Sequence, residues 1–140
     1  MNKIGLILGF GSIGKQQFKA MKESKIFKKI NILSKHETLK KNNLLKLNEI
    51  LNIDPDIIII CSETTEHFSQ LKFIEKNLKN KIILVEKPIF SKSIKLNIKN
   101  NKVFVGYNLR YDPMLQYLKK NIQRKKIFVS NIICNSYLPN

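Results

Sequence analysis

The chain has 140 residues, enough for one domain, or for one domain and a fragment of a second. Its apolar content of 43% suits a chain that buries a core, which excludes an intrinsically disordered protein. The net charge of +16 comes mostly from Lys spread among Asn and Ile, with no nucleic-acid-binding motif beside it, so no nucleic-acid partner is expected.

The densest basic run, Arg124-Lys125-Lys126, reads as a solvated helix end. Cys61 and Cys134 lie in apolar, strand-like surroundings and read as small buried hydrophobes rather than a disulfide framework. The N-terminus runs straight into a strand with no small-residue cleavage pattern, and no apolar run approaches membrane-spanning length. A reducing cytoplasm is the expected setting, with no membrane partner and no metal.

The first element is an apolar run, Ile4 to Leu8, interrupted by Gly5, which is how a strand buried on both faces of a parallel sheet reads. Gly9, Gly11 and Gly14 follow in G-x-G-x-x-G spacing and open a helix over Ile13–Ser24. Gly14, Phe18 and Met21 share one face of that helix. In such a motif the first glycine allows a tight turn, the second lets a pyrophosphate approach the backbone, and the third lets the helix pack on the strand. The anion then sits on free N–H groups at the helix N-terminus. The same residues contain the start of a P-loop, Gly9-x-x-x-x-Gly14-Lys15, but Gln16 offers no hydroxyl for Mg²⁺.

Lys29–Leu33 reads as the second strand. An Asp or Glu about twenty residues beyond the glycine motif would bind the ribose 2′-hydroxyl of NAD. This chain has Ser34 and Lys35 there, a hydroxyl beside a cation, which suits a 2′-phosphate and favours NADP over NAD. Glu37 keeps the NAD reading open. Thr38–Asn43 reads as a polar connection with a short or lost third strand, and Leu44, Leu47 and Leu51 as one face of a short helix.

Asp56–Cys61 is the strongest strand signal, continuous and β-branched. Ligands of open α/β sheets bind at the carboxyl ends of strands, so the following loop, Ser62 to His67, should face the cofactor. Ser62 or Thr64 is expected to bond to it and to cap the next helix. That helix carries the stripe Phe68, Leu71, Ile74 and Leu78. Ile82–Val85 is another buried strand and leads into Glu86-Lys87-Pro88, where a Lys at a strand's carboxyl end can polarise a reacting group. Ser91–Ile98 reads as a short helix, Lys102–Val105 as a strand, Met114, Leu118 and Ile122 as a helical stripe, and 127–138 as a final strand. Alternating strands and helices define an α/β architecture, a doubly wound, mostly parallel Rossmann-type sheet.

Four motifs stand in order: GFGSIG at Gly9–Gly14, IIIICSETTEH ending at His67, EKP at Glu86–Pro88 and GYNLRYDP at Gly106–Pro113. With them the chain resembles the N-terminal part of the Gfo/Idh/MocA family of NAD(P)-dependent oxidoreductases. The resemblance implies a cofactor domain over residues 1–110, then the helix and first strand of a second α/β domain over 111–140. It implies hydride transfer to or from a sugar, inositol or nucleotide-sugar-like substrate. Lys87 matches the lysine that contacts the reacting hydroxyl and is the expected catalytic residue, with Pro88 often in a cis peptide. Asn108 and Arg110 match substrate-cleft residues. The expected cofactor-binding set is Gly9, Phe10, Gly11, Ser12, Ile13, Gly14, Ser34, Lys35, Cys61, Ser62, Thr64, His67, Glu86 and Lys87.

The usual Thr-Pro of the family is Ser62-Glu63 here. The resemblance also implies that the family's acid/base His and Asp belong to residues beyond Asn140. The 127–138 strand is therefore expected to pair with another copy or with a complementing second chain. A non-catalytic dinucleotide-binding remnant or regulatory module is the alternative to an oxidoreductase polypeptide.

Overall fold

The computed structural model describes residues 2–35, 43–44 and 46–122. The chain divides into two compact units, Met1–Tyr107 and Asn108–Asn140. The first contains β1 (Lys3–Leu8), α1 (Ser12–Glu23), β2 (Phe27–Leu33), β3 (Asn43–Leu44), α2 (Ile50–Ile53), β4 (Ile57–Ile60), α3 (Thr64–Asn77), β5 (Ile82–Val85) and β6 (Lys102–Val105). The sheet has the order β3-β2-β1-β4-β5-β6, and every pairing is parallel. That is the strand order of the dinucleotide-binding doubly wound fold.

The register explains where a ligand can go. Leu8 pairs with Leu33 and with Ile60, Ile60 with Val85, and Val85 with Val105. Five strands therefore end on one line, and the loops starting at Gly9, Ser34, Cys61, Glu86 and Gly106 leave the same edge of the sheet. At the opposite edge Asp56 ties two strands together. Its carboxylate accepts from the backbone N–H of Ile4 at 2.8 Å and from Lys3 at 3.2 Å, and the Ile4 bond holds its carboxyl below the usual range despite the cost of burial.

Strand residues alternate between two cores. Leu6, Leu8, Ile58, Ile60, Ile83 and Val85 face Leu71, Ile74 and Leu78 of α3 and its end, with Ile50 of α2. Ile7, Ile30 and Ile59 face Met21 of α1, with Phe18 packed beside it. Burial on both faces is why β4 reads as an unbroken apolar run and β1 as one interrupted only by Gly5.

Three expectations about elements are corrected. Leu44 belongs to β3 rather than to a helix with Leu47 and Leu51; Leu47–Glu49 is a 3-10 turn leading into the single turn of α2. The strand read as Asp56–Cys61 is narrower, since Asp56 acts as the bracket just described and Cys61 already turns toward the glycine loop. No helix forms over Ser91–Ile98. The apolar residues there, Ile94, Leu96 and Ile98, recur every second position, and Leu96 and Ile98 pack as irregular chain against the α3-side core.

The return from this segment into β6 is held by Glu75 of α3. Its carboxylate accepts from the backbone N–H groups of Lys99 at 2.7 Å and Asn100 at 2.6 Å and from the Asn101 amide at 2.7 Å. Burial alone would push its carboxyl up, but these bonds outweigh it and hold the carboxyl below its ordinary value.

In the second unit a 3-10 turn, Asn108–Tyr111, precedes α4 (Pro113–Ile122). Asp112 accepts from the Leu115 N–H at 3.0 Å, and Pro113 occupies the first helical position, where a missing N–H costs nothing. The strand expected at 127–138 lies outside the described residues. Among the described residues no helix is long and apolar enough to cross a membrane.

Candidate functional site

The β1–α1 turn has little freedom. Gly9 has φ +89°, and a Cβ there would fall 2.5 Å from the Ser62 backbone. A Cβ on Gly14 would collide with the Gly9 carbonyl oxygen. Both positions therefore need glycine for the turn itself. At Gly11 a Cβ would meet nothing within 4 Å. The missing side chain there leaves open space at the start of α1, which is where a pyrophosphate must approach the backbone. The cradle fits a dinucleotide.

A cavity of about 530 Å³ lies beside this cradle. It is lined by Gly9, Phe10 and Gly11 of the turn and by Leu33, Ser34 and Lys35 at the end of β2. Leu47 and residues of the β4–α3 segment, Cys61 to Glu63, Glu66, Ser69 and Gln70, complete the lining. The expected residues Gly9, Phe10, Gly11, Ser34, Lys35, Cys61 and Ser62 thus come together from three strand ends. Ser12, Ile13, Gly14, Thr64, His67, Glu86 and Lys87 stand outside the lining. Glu37 lies outside the described residues.

Ser62 and Thr64 do not cap α3. The helix starts after Glu63 with no side-chain cap, because the Ser62 hydroxyl donates instead to Gln70 Oε1 at 2.7 Å. His67 is 1% exposed, with Nδ1 3.1 Å from the Pro88 carbonyl oxygen and Nε2 3.0 Å from that of Ser62. A neutral ring donates to one of them at a time. It sits between the loop after β4 and the loop after β5. Cys61 Sγ donates to the Gly9 carbonyl at 3.3 Å, and burial, with the Glu86 carboxylate adding to it, pushes its thiol up to about 12.

Lys87 is exposed at the carboxyl end of β5, and the Lys87–Pro88 peptide is cis. The backbone it projects from is anchored on one side by Glu86, whose carboxylate accepts from Gln17 of α1 at 3.0 Å. Asn108 and Arg110 belong to the second unit. There Asn108 accepts from the Leu109 N–H at 3.0 Å, and Arg110 lines a shallow concavity with Tyr111, Gln116, Lys119 and Lys120.

Sequence reasoning missed Glu66 and Gln70. Glu66 pairs with Lys35 at 2.5 Å and accepts from Gln70 Nε2 at 3.2 Å. The pair and its hydrogen bond hold the Lys35 ammonium above its usual value. The available signal was their spacing: Glu66 and Gln70 are four apart on the helix that follows the loop facing the site. Among the described residues no group of His, Cys, Asp or Glu could hold a metal ion.

Fold and cradle together define a Rossmann domain of the dinucleotide-binding class. The model of the oxidoreductase family with an NAD-binding Rossmann fold, Gfo/Idh/MocA, matches residues 3–102, and the chain belongs to that family. No curated protein matches the chain. Among solved structures it is similar to the dehydrogenase MviM from Clostridium difficile, at 22% identity and TM-score 0.68 over 86% of this chain and 44% of that one. It is also similar to an apo scyllo-inositol dehydrogenase from Lactobacillus casei, at 19% identity and TM-score 0.69 over 91% and 43%. A third is the WlbA dehydrogenase from Bordetella pertussis in complex with NADH and UDP-GlcNAcA, at 15% identity and TM-score 0.68 over 89% and 42%. The chain spans less than half the length of these proteins.

Proposed function

We propose that the chain is the cofactor-binding part of an NAD(P)-dependent oxidoreductase acting on a sugar, an inositol or a nucleotide sugar. The carrying observation is the open space above Gly11, framed by two glycines that the turn cannot replace, beside a cavity ending at Ser34 and Lys35. The substrate class is supported by the similarity to a scyllo-inositol dehydrogenase and to a dehydrogenase in complex with UDP-GlcNAcA. When bound, the nicotinamide supplies the hydride acceptor or donor. Lys87 holds the substrate oxygen by hydrogen bonding and steadies the negative charge that develops on it. Gln17, through Glu86, keeps the backbone beside it in place, and His67 spans the Ser62 and Pro88 carbonyls. At the other end of the site, Ser34 and Lys35 favour NADP by offering a hydroxyl and a cation to a 2′-phosphate. We place this chemistry in the cytoplasm and expect a homo-oligomer or a complementing second chain to finish the substrate pocket.

The test is titration of the purified chain with NADPH and NADH, followed by nicotinamide fluorescence and thermal shift. Both should bind, NADPH more tightly. Binding of neither would leave the glycine motif as fold alone and sink the enzyme reading. Lys87→Ala should leave this binding within about threefold while abolishing turnover in any completed assembly. Retained turnover would remove Lys87 from the chemistry.

A further inference from the structure

Lys35 follows the end of β2 and Glu66 lies in the first turn of α3, and the two meet across the cavity wall, with Nζ 2.5 Å from Oε1. The two sides of this pair differ. The Lys35 side chain is 68% exposed and can leave, whereas that of Glu66 is 30% exposed and is held from behind. Gln70 donates to its second oxygen at 3.2 Å, and Ser62 in turn donates to Gln70 at 2.7 Å. The carboxylate is therefore fixed in the lining while the ammonium is the mobile partner. A chain lacking an acidic residue at Ser34 and Lys35 regains one from α3.

We propose that Glu66 is a specificity-determining residue for the ribose 2′ position, occupying the Lys35 ammonium so that a 2′-phosphate must compete with a fixed carboxylate. This rests on the proposed dinucleotide function. A 2′-phosphate has to draw Lys35 away and then lie near the Glu66 charge, which opposes it. A free 2′-hydroxyl imposes neither demand, and a carboxylate can accept its proton as a hydrogen bond. Glu66 thus offsets the preference that Lys35 alone would confer and leaves the site open to NAD.

The experiment is calorimetric titration of the full chain and of Glu66→Gln with NADPH, NADH, 2′,5′-ADP and 5′-AMP. Glutamine keeps the shape and the bond to Gln70, so the variant should fold with an unchanged thermal midpoint. The expected result is a rise of about tenfold in the NADPH:NADH affinity ratio, repeated for 2′,5′-ADP over AMP and shrinking at high salt. Lys35→Gln should move the ratio the other way by a similar factor. An unchanged ratio in Glu66→Gln, with both cofactors still bound, overturns the role of Glu66 and leaves the dinucleotide function standing. Binding of no nucleotide by any variant overturns both.

Discussion

Gly11 and Gly14 stand three residues apart in one motif and do different things. Gly14 is small because the Gly9 carbonyl occupies the space its side chain would need, while Gly11 is small although nothing of the protein is there. Gly14→Val should therefore destabilise the fold by about 2 kcal/mol or more, read by denaturant unfolding. Gly11→Val, at an extended backbone position, should leave stability nearly unchanged and weaken NADH binding at least about tenfold. Equal behaviour of the two variants would contradict this division. Cys61 allows a second test. Its folded thiol titrates near 12 against an ordinary 9.0, so the stability it contributes is intact below pH 9 and is lost as pH rises through 12. With Cys134 replaced by Ser, the folded chain at pH 8 should react with iodoacetamide at least about a hundredfold more slowly than the unfolded chain. Both cysteines were expected to be small buried groups; Cys134 lies outside the described residues, and Cys61 is partly buried, protonated, and bonded to the turn it supports.

Among the elements, those with a strong internal pattern were legible and those defined by a partner were not. β1, β4 and β5 announce themselves because a strand covered on both faces must be apolar throughout. The stripe of α3 did the same at helical spacing. The segment between β5 and β6 was misread as a helix because Ile94, Leu96 and Ile98 alternate too briefly to overrule the prior for an α/β connection. What decides its course is Glu75, a residue on another element whose carboxylate collects the N–H groups of the return. Glu75→Ala should cost about 3 kcal/mol, since it removes the charged acceptor shared by the Lys99 and Asn100 N–H groups and the Asn101 amide. Its folded carboxyl lies below the ordinary value, so this stability is present above pH 4.5 and is lost as pH falls through the depressed folded value. Glu75→Gln should accordingly flatten the acid limb of the stability curve, which urea unfolding at a series of pH values would reveal.

For the whole molecule, the first unit contains the sheet, both cores and, among the described residues, every one that lines the cavity. A chain of residues 1–107 should therefore fold cooperatively and bind NADH within about twofold of the 140-residue chain, as calorimetry would show. Loss of binding in the shorter chain would assign part of the site to the second unit. Much of this was readable in advance. The fold class, the glycine cradle, the β2 end and the β4 loop depend on local demands, a turn that excludes side chains and strands that must be apolar, and local demands leave marks in local sequence. The pairing of Glu66 with Lys35, the grip of Glu75 on the β6 entry and the position of His67 between two loops left no such mark. Each joins residues 21 to 31 positions apart. Glu66 meets Lys35 and His67 meets Pro88 where parallel strands end on one line, and Glu75 meets Asn100 at the opposite edge where β6 begins, so each meeting is a property of the assembled sheet.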